Sequence, residues 1–280
     1  MARRIALVSD STSVDCDMAS RLDVVVVPLH VVIGSESHAE GESASPASVA
    51  AALRKATPVS TSRPPPEAFA QAYAGAAESG AEAVVSIHLS GEVSGTFESA
   101  ELAARDASIP VHAVDSRQFG MGTGFAVQAA AEALDKGASA DEAAQVARER
   151  SASTSALFYV DTLEFLRRGG RVGVAAALLG SALAVKPLLQ VEEGRIVPLE
   201  KVRTSTKALA RLEDLAVEAA GDQPVDIAVS HLANPEGAET LAGHLQERVP
   251  TLHELVINQV GAVIGAHVGP GMLAAVVSPR

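Results

Sequence analysis

Aromatic residues are nearly absent from this sequence of 280 residues. It contains six Phe, two Tyr and no Trp, so aromatics make up 3% of a chain that is 48% hydrophobic. Alanine alone supplies 53 residues. A chain this apolar buries a core rather than staying disordered, and here the core has to be built from small and branched aliphatic side chains. The shortage of rings also removes the stacking platforms on which single-strand nucleic-acid binders depend.

Cysteine, long apolar runs and net positive charge are missing as well. The single cysteine, Cys16, excludes a disulfide scaffold and a Cys-rich zinc site, and it fits the reducing cytoplasm, where we expect the protein. The longest uncharged apolar run is residues 172–185. It is shorter than the ~17–25 residues of a membrane span, so we interpret it as a buried helix. The first residues hold too short an apolar stretch for a signal peptide. The net charge of −12 disfavours nucleic-acid binding.

The two halves of the chain show different patterns. In the first half, short apolar strands alternate with amphipathic helices, which predicts a parallel, Rossmann-like sheet with helices on its faces. The second half mixes helices with hairpins, including a tight turn at Glu193 and Gly194, and this favours an α+β arrangement with a mixed or antiparallel sheet. We therefore predict an α/β protein of two domains, residues 1–153 and 154–280.

Common catalytic and cofactor motifs are absent. The chain has no P-loop, no zinc-protease motif, no nucleophile elbow and no Cys/His cluster with metal-ligand spacing. We therefore predict no cofactor and no metal. The glycines at 120, 122 and 124 do not match the dinucleotide fingerprint, and we interpret them as a helix start that packs closely on the sheet.

Hydroxyl-rich segments follow several of the predicted strands, at residues 9–13, 60–64, 90–96 and 115–116. Loops at the carboxyl ends of strands in an open α/β sheet converge on one crevice, and helix N-termini there offer free N–H groups. Hydroxyls and N–H groups without a P-loop lysine suit a small, singly charged oxyanion better than a polyphosphate. Each Ser or Thr alone also suits a helix N-cap, so the interpretation rests on their repetition.

Two further features suggest anion recognition. Glycines at 261, 265, 269 and 271 surround His267, and we interpret the segment as irregular backbone on which the imidazole either donates to an anion or caps a turn. Residues 167–211 contain nine basic and three acidic residues, a local charge of +6 on an acidic chain. Such a segment suits a phosphate-bearing ligand or an acidic partner, although a solvated surface would have the same composition.

The order and spacing of these segments resemble the DegV family, whose fatty-acid-binding members are the lipid-carrying subunits of bacterial fatty acid kinase. The resemblance spans nearly the whole chain and implies two α/β domains with a ligand cleft between them and a lipid tunnel running inward from that cleft. The segments that carry it are 8–12, 60–64, 90–100, 114–116, 166–171, 186–189, 194–196, 201–203 and 267–271.

The resemblance also implies a ligand, a partner and the residues that contact them. A long-chain fatty acid would lie with its tail buried and its carboxylate at the cleft, bound by Thr61, Ser62, Ser94 and His267. The residues expected to support the cleft are Ser11, Gly95, Thr96 and Gly269. A separate fatty acid kinase catalytic subunit would phosphorylate the bound carboxylate to an acyl-phosphate. Contacts with that subunit or with the phosphate would come from Arg171, Lys201, Arg203 and Lys207. Gly91 and Val268 depart from the family's pattern, and each removes one potential hydroxyl.

Two other functions stay open at this point. One is an enzyme, a hydrolase or transferase, that acts on a small anionic substrate with a Ser and His267, although no base and nucleophile stand at a recognisable spacing. The other is a regulatory binder of another small apolar carboxylic acid. We predict no integral membrane segment, and transient contact with a membrane surface is left open.

Overall fold

The computed structural model describes residues 4–178 and 186–280, with the side chains of residues 176–178 excepted. The first part of the chain contains β1 (Ile5–Asp10), α1 (Cys16–Leu22), β2 (Val24–Val27), β3 (His30–Ile33), β4 (Glu36–Ala39), α2 (Pro46–Arg54), β5 (Val59–Ser62), α3 (Pro66–Glu78), β6 (Ala83–His88), α4 (Thr96–Ala104), β7 (Val111–Asp115), α5 (Met121–Asp135) and α6 (Ala140–Ser153). The second part contains β8 (Ser155–Tyr159), α7 (Glu164–Arg168), a 3-10 helix (Gly173–Leu178), β9 (Lys186–Glu192), β10 (Arg195–Val202), α8 (Ser205–Ala220), β11 (Val225–His231), α9 (Pro235–Arg248), β12 (Leu252–Gln259), α10 (Ala262–Val268) and β13 (Leu273–Pro279).

A parallel sheet forms the centre of the first part. Its strands run in the order β2-β1-β6-β7, and every neighbouring pair is parallel. Helices α5 and α6 pack on one face, and α3 and α4 pack on the other. Both faces are therefore covered, as a parallel sheet requires. This arrangement confirms the predicted Rossmann-like sheet.

The apolar run at residues 24–33 forms two strands that belong to different sheets. Pro28 lies between β2 and β3, and its missing N–H interrupts the hydrogen-bond ladder there. β3 joins β4 and β5 in an antiparallel three-stranded sheet. β5 includes Thr61 and Ser62, so the predicted hydroxyl-rich loop at residues 60–64 begins as a strand. Thr61 pairs with Val31 of β3.

The second large sheet is mixed, and it confirms the fold class predicted for the second half. Its order is β10-β9-β8-β13-β11-β12, in which β11 and β12 pair in parallel and the other neighbours are antiparallel. The β9–β10 turn has positive φ at Glu193 (48°) and at Gly194 (80°). These are the signs of a type I′ turn, which matches the twist of a two-residue hairpin.

Small side chains let helix α5 pack closely against its neighbours. Ala130 of α5 and Ala143 and Ala147 of α6 are completely buried where these two helices meet. Near the start of α5, a Cβ on Gly124 would lie 2.7 Å from the carbonyl oxygen of Ser13. These glycines therefore begin a helix, as predicted, and the close contact near its start is with the turn after β1.

Three further expectations have different outcomes. Both α5 and α6 also contact β13 of the mixed sheet, and the boundary between residues 153 and 154 stays a prediction. A buried helix was expected at 172–185, but its described residues form a 3-10 helix in which Val174 is exposed, and residues 179–185 lie outside the described part of the chain. The irregular backbone expected around His267 is wrong, because residues 262–268 form α10. Within the described residues, no helix has both the length and the apolar composition that crossing a membrane requires.

Candidate ligand-binding site

A cavity of about 340 Å³ is lined by residues from both halves of the chain. Its volume lies within the ~300–1,000 Å³ of small-molecule sites, and most of its wall is apolar. The lining residues are Leu29, Thr61, Ser62, Arg63, Leu89, Val93, Ser94, Gly95, Phe119, Leu166, Arg171, Ile196, Val263, Ile264, His267 and Val268.

The residues predicted to bind a carboxylate all lie on this wall. They come from distant parts of the chain and are Thr61, Ser62, Ser94 and His267. Of the residues expected to support the cleft, Gly95 lines the cavity, whereas Ser11, Thr96 and Gly269 do not. Arg171, which was predicted to contact the partner or a phosphate, also lines it. The cavity wall is therefore apolar except for a group of hydroxyls, one imidazole and two guanidinium groups.

His267 and Thr61 form a hydrogen-bonded pair at the wall. The Nε2 atom of His267, in the last turn of α10, lies 2.9 Å from the Oγ1 atom of Thr61 on β5. The Nδ1 atom of His267 is buried and has no hydrogen-bond partner among the described residues. Burial, followed by the nearby charge of Arg171, lowers the pKa of His267 to about 4. The imidazole is therefore neutral at pH 7 and takes part as a hydrogen-bonding group rather than as a cation.

Gly169 allows the imidazole to lie directly against the backbone after α7. A Cβ at position 169 would collide with Nδ1 of His267. The backbone turns sharply next to it, because Gly170 has a φ of 72°. Gly169 thus makes room for His267, although neither glycine lines the cavity.

Ser94 lies in the turn between β6 and α4. Its Oγ atom is 2.9 Å from Oγ1 of Thr96 and accepts the N–H of Thr96 at 3.3 Å. Thr96 is completely buried, so it supports Ser94 from behind instead of facing the cavity. Ser94 thus has the local contacts of a capping residue and a position on the cavity wall.

Two arginines on the wall have different partners. Arg63 donates to Oε2 of Glu98 at 2.8 Å and to the carbonyl of Gly95 at 3.1 Å. Arg171 donates to the carbonyl oxygens of Val93 at 3.0 Å and Gly169 at 2.5 Å, and it pairs with no carboxylate among the described residues. Arg171 therefore places a partly buried positive charge on the same wall as the hydroxyls. That charge has no acidic partner among the described residues.

The apolar wall was not predicted from the sequence. Its members are Leu29, Leu89, Val93, Phe119, Leu166, Ile196, Val263, Ile264 and Val268. Most come from separate segments, so no local pattern marks them. The exception is α10, where Val263, Ile264, His267 and Val268 have the i, i+1, i+4, i+5 spacing of one helical face. That spacing was a usable signal, but the flanking glycines obscured it.

Ser11 lies away from the cavity wall and contacts a residue that the sequence did not single out. Its hydroxyl donates to Oε2 of Glu40 at 2.6 Å. Both residues line a second cavity of about 370 Å³, which shares Ile264 with the first. Glu40 is buried, and burial raises its pKa to about 7 against the opposing effect of its hydrogen bonds.

A Ser-His-Asp arrangement lies in the core next to this site. His88 places Nδ1 3.2 Å from Oδ2 of Asp10 and Nε2 2.7 Å from Oγ of Ser86, whose hydroxyl is 2.9 Å from that of Tyr73. These distances resemble those of a catalytic triad, but Asp10, Ser86 and His88 are completely buried. A buried serine cannot meet a substrate. Asp10 instead accepts the N–H of Leu89 at 3.0 Å and so braces the cavity wall.

The predicted docking residues lie elsewhere on the surface. Lys201 is in β10, Arg203 follows that strand, and Lys207 is in the first turn of α8. All three are exposed and form no ion pair with another described residue. Most other basic residues of 167–211 are paired: Arg167 and Arg168 with Glu164, Lys186 with Asp161, Arg195 with Glu92, and Arg211 with Glu200. The unbalanced charge of this segment is therefore concentrated at Lys201, Arg203 and Lys207, in addition to Arg171.

The fold and the cavity together define an α/β protein that has two large sheets and a cavity of the size usual for small-molecule sites. Within its described residues, no three His, Cys, Asp or Glu side chains come together to hold a metal ion. A family model described as "Uncharacterised protein, DegV family" matches residues 4–280. The chain belongs to the DegV family.

Relatives and solved structures agree with that assignment. The chain is 55% identical to a DegV domain-containing protein of Streptomyces coelicolor over the full length of both, and 36% identical to one of Mycobacterium tuberculosis over 95% of this chain and 94% of that protein. Its fold is similar to the structure described as fatty acid binding of a DegV family protein from Thermus thermophilus, with a TM-score of 0.93 and 33% identity. It is also similar to DegV, a fatty acid binding protein from Bacillus subtilis, with a TM-score of 0.91 and 34% identity. Both comparisons cover 100% of each chain.

Proposed function

We propose that this protein binds a long-chain fatty acid, with the tail among the apolar residues of the cavity and the carboxylate at the polar wall. The observation that carries the proposal is the Thr61–His267 pair, with Nε2 and Oγ1 2.9 Å apart, on a cavity that is otherwise largely apolar. The similar DegV structures that are described as binding fatty acids support the same ligand class.

The chemistry of the pair suits a carboxylate. With the proton on Nε2, the neutral His267 donates to Oγ1 of Thr61, and the Thr61 hydroxyl is left to donate to a carboxylate oxygen. Ser62 and Ser94 present further hydroxyls on the same wall. Each buried methylene of the tail contributes about 0.8 kcal/mol. The tail thus supplies affinity, while the hydroxyls offset the desolvation of the head group.

We further propose that the bound carboxylate is presented to a kinase and becomes an acyl-phosphate. Phosphorylation replaces a singly charged carboxylate by a head group with more negative charge, which needs a cation nearby. Arg171 meets that need, because it lies on the cavity wall without a described carboxylate partner. In this proposal the protein holds the lipid, and the kinase supplies the catalytic groups.

The kinase is proposed to dock at Lys201, Arg203 and Lys207. These exposed cations have no ion pair with another described residue, so an acidic surface can approach them without displacing an existing bridge. We place this complex in the cytoplasm, whose reducing conditions fit the free cysteine Cys16. The cytoplasmic location therefore stays part of the proposal.

Mass spectrometry of organic extracts from the purified protein tests the ligand directly. We expect a copurified long-chain fatty acid, or stoichiometric binding when one is added to delipidated protein. The proposal would be overturned if the purified protein contained no fatty acid and the delipidated protein bound none that was added. Competition among acids of different chain length separates this function from regulation by another apolar acid. Turnover of acyl esters or acyl-phosphates by the isolated protein would instead favour an enzyme.

A further inference from the structure

Glu40, which does not line the proposed ligand cavity, joins three segments that surround it. Its Oε1 atom accepts the N–H of Val263, in the first turn of α10, at 2.7 Å, and its Oε2 atom accepts the hydroxyl of Ser11 at 2.6 Å. Ser11 Oγ accepts the N–H of Leu29 at 3.0 Å, and the backbone N–H of Glu40 donates to the Leu29 carbonyl at 2.9 Å. Leu29 and Val263 both line the cavity.

The local sequence is shaped to admit this carboxyl group. Gly261 precedes α10, and a Cβ at that position would collide with Oε1 of Glu40. The carboxyl side chain is buried, and burial without hydrogen bonds would be costly. Because both carboxyl oxygens accept hydrogen bonds, the burial of Glu40 is tolerated, and the side chain fixes the positions of Val263 and Ser11.

Helix α10 is held to the three-stranded sheet at both of its ends. Glu40, which follows β4, contacts its first turn, and Thr61 of β5 contacts His267 in its last turn. A helix of seven residues has little stability of its own. Its position, and with it the position of the imidazole, therefore depends on contacts such as these.

We propose that Glu40 is a positioning residue for the carboxylate site. By holding the first turn of α10 against the Ser11 turn, it sets the distance between His267 and Thr61 and so prepares the polar wall for a head group. The expected effect of Glu40 on ligand affinity rests on the proposed fatty acid function. Its effect on the position of the His267 imidazole is independent of that function and can be measured in ligand-free protein.

The test compares Glu40→Ala with Glu40→Gln and with Glu42→Ala, a change at an exposed carboxylate two residues away. Each change is made in the wild-type chain and in the His267→Ala chain. Palmitate affinity is measured by calorimetry at pH 8, and the imidazole signals of His267 are followed by NMR in the ligand-free protein. Glu40→Gln serves as the conservative variant, because its amide oxygen can accept from Val263 and its amide nitrogen can donate to Ser11.

We expect Glu40→Ala to weaken palmitate binding about 10-fold in the wild-type chain but less than about 2-fold in the His267→Ala chain, because residues that act through one another are not additive. Its His267 signals should shift, whereas those of Glu40→Gln and Glu42→Ala should stay near the wild-type positions. Equal losses of affinity in the two chains, or unchanged His267 signals, would overturn the proposal.

Two complications are covered by the design. If Glu40→Ala does not fold, Glu40→Asp replaces it, since the shorter side chain cannot reach both partners, and the same comparisons decide. If the wild-type protein binds no palmitate, the proposed function fails, and the His267 signals alone then decide whether Glu40 positions the imidazole.

Discussion

Thr61 and His267 act as one hydrogen-bonding unit, because the imidazole is kept neutral by burial and by the nearby Arg171. A carboxylate that arrives at this wall changes that balance, since a negative charge favours the protonated imidazole. Binding should therefore raise the pKa of His267 from about 4. The arrangement differs from a Ser-His-Asp triad, because Nε2 of His267 pairs with Thr61 and its Nδ1 atom has no carboxylate partner among the described residues.

The head-group contacts can be separated from tail burial by mutation. We expect a Ser94→Ala, His267→Ala double mutant to bind palmitate at least ~10-fold more weakly, since hydrogen bonds to a charged group contribute about 1.5–3 kcal/mol each. Calorimetric titration provides the measurement. Hexadecanol serves as the control ligand because it has the same tail and no carboxylate, so its affinity should change much less. An unchanged palmitate affinity would refute this assignment of the site.

The ionisation of Glu40 predicts a pH-dependent stability. Burial, and then the charge of Asp10, raises the pKa of Glu40 from 4.5 to about 7. Other acidic groups near it are Asp15 and Glu42, which line the same second cavity. Because the folded protein keeps this proton where the unfolded chain has lost it, the stabilising effect is complete below pH 4.5. It is lost as the pH rises to about 7.

Glu40→Gln removes this titration while keeping both hydrogen bonds. The stability of the variant relative to wild type should therefore increase from pH 4.5 to pH 8, by on the order of 3 kcal/mol for a pKa raised this far. Urea unfolding at both pH values measures the difference. Parallel pH profiles for the two proteins would show that Glu40 has an ordinary pKa.

Among the elements, α10 shows how a glycine-rich sequence can still form a helix. Its residues 262–268 are largely buried, so packing against α2, α7, β3 and β5 stabilises a helix that would not form alone. Gly269 ends it with a φ of 76°, and a Cβ there would collide with the ring of Phe165. The glycines thus frame the helix rather than interrupt it.

Gly269→Ala should be costly for both of these reasons. We expect it to lower the free energy of unfolding by on the order of 2 kcal/mol, since a left-handed backbone strains any residue with a side chain and Phe165 must also move. Gly243→Ala is the matched control, because Gly243 lies within α9 with open space around it. That change should stabilise the protein by roughly 0.5–1 kcal/mol. Equal unfolding midpoints for wild type and Gly269→Ala would contradict the account of this helix end.

The elements of the parallel sheet could be predicted because their signals are local. β1, β6 and β7 are short apolar runs with a helix after each, and burial on both faces imposes that composition. β5 could not be predicted from the sequence, because Val-Ser-Thr-Ser has no apolar alternation and becomes a strand only by pairing with β3. Likewise the division at Pro28 depends on which sheet each half of the run joins.

At the scale of the whole molecule, the shortage of aromatic rings is reflected in the cavity wall, which is built mainly from aliphatic side chains. Of the six phenylalanines, Phe119 lines the cavity, and its ring meets Phe158 edge-on with centroids 6.2 Å apart. Most of the remaining apolar wall is Leu, Ile and Val. A fatty acid tail would add bulk that these side chains lack, so ligand binding and core packing should be coupled.

Delipidation should therefore destabilise the protein. A ligand that binds only the folded state at 100 times its dissociation constant adds about 2.7 kcal/mol. For a chain of this size we expect the melting temperature of delipidated protein to be about 5 °C lower. Adding palmitate should restore it, and adding hexadecanoic acid methyl ester controls for general hydrophobic binding. The same melting curve for lipid-loaded and delipidated protein would remove the link between composition and ligand.

The proposed docking surface at Lys201, Arg203 and Lys207 also depends on the folded molecule as a whole. Replacing Arg203 by Ala should weaken binding of the fatty acid kinase catalytic subunit at least several-fold, with a loss that becomes smaller at high salt, because charge attraction is screened. Palmitate affinity should stay unchanged, since Arg203 lies outside the cavity lining. Lys55→Ala, at an exposed lysine after α2, is the control. Undiminished kinase binding by Arg203→Ala would place the docking surface elsewhere.

Local pattern was enough to establish the parallel sheet, the mixed character of the second half, the close-packed start of α5 and the motifs that resemble the DegV family. Those features depend on residues close together in the chain, where periodicity and turn chemistry act directly. The contact between Thr61 and His267, which are 206 positions apart, depends on how the three-stranded sheet meets α10. The burial of Glu40 and the formation of the apolar wall also depend on how distant parts of the chain pack together. Such features arise when distant segments pack together, because burial and pairing depend on neighbours that chain order does not specify.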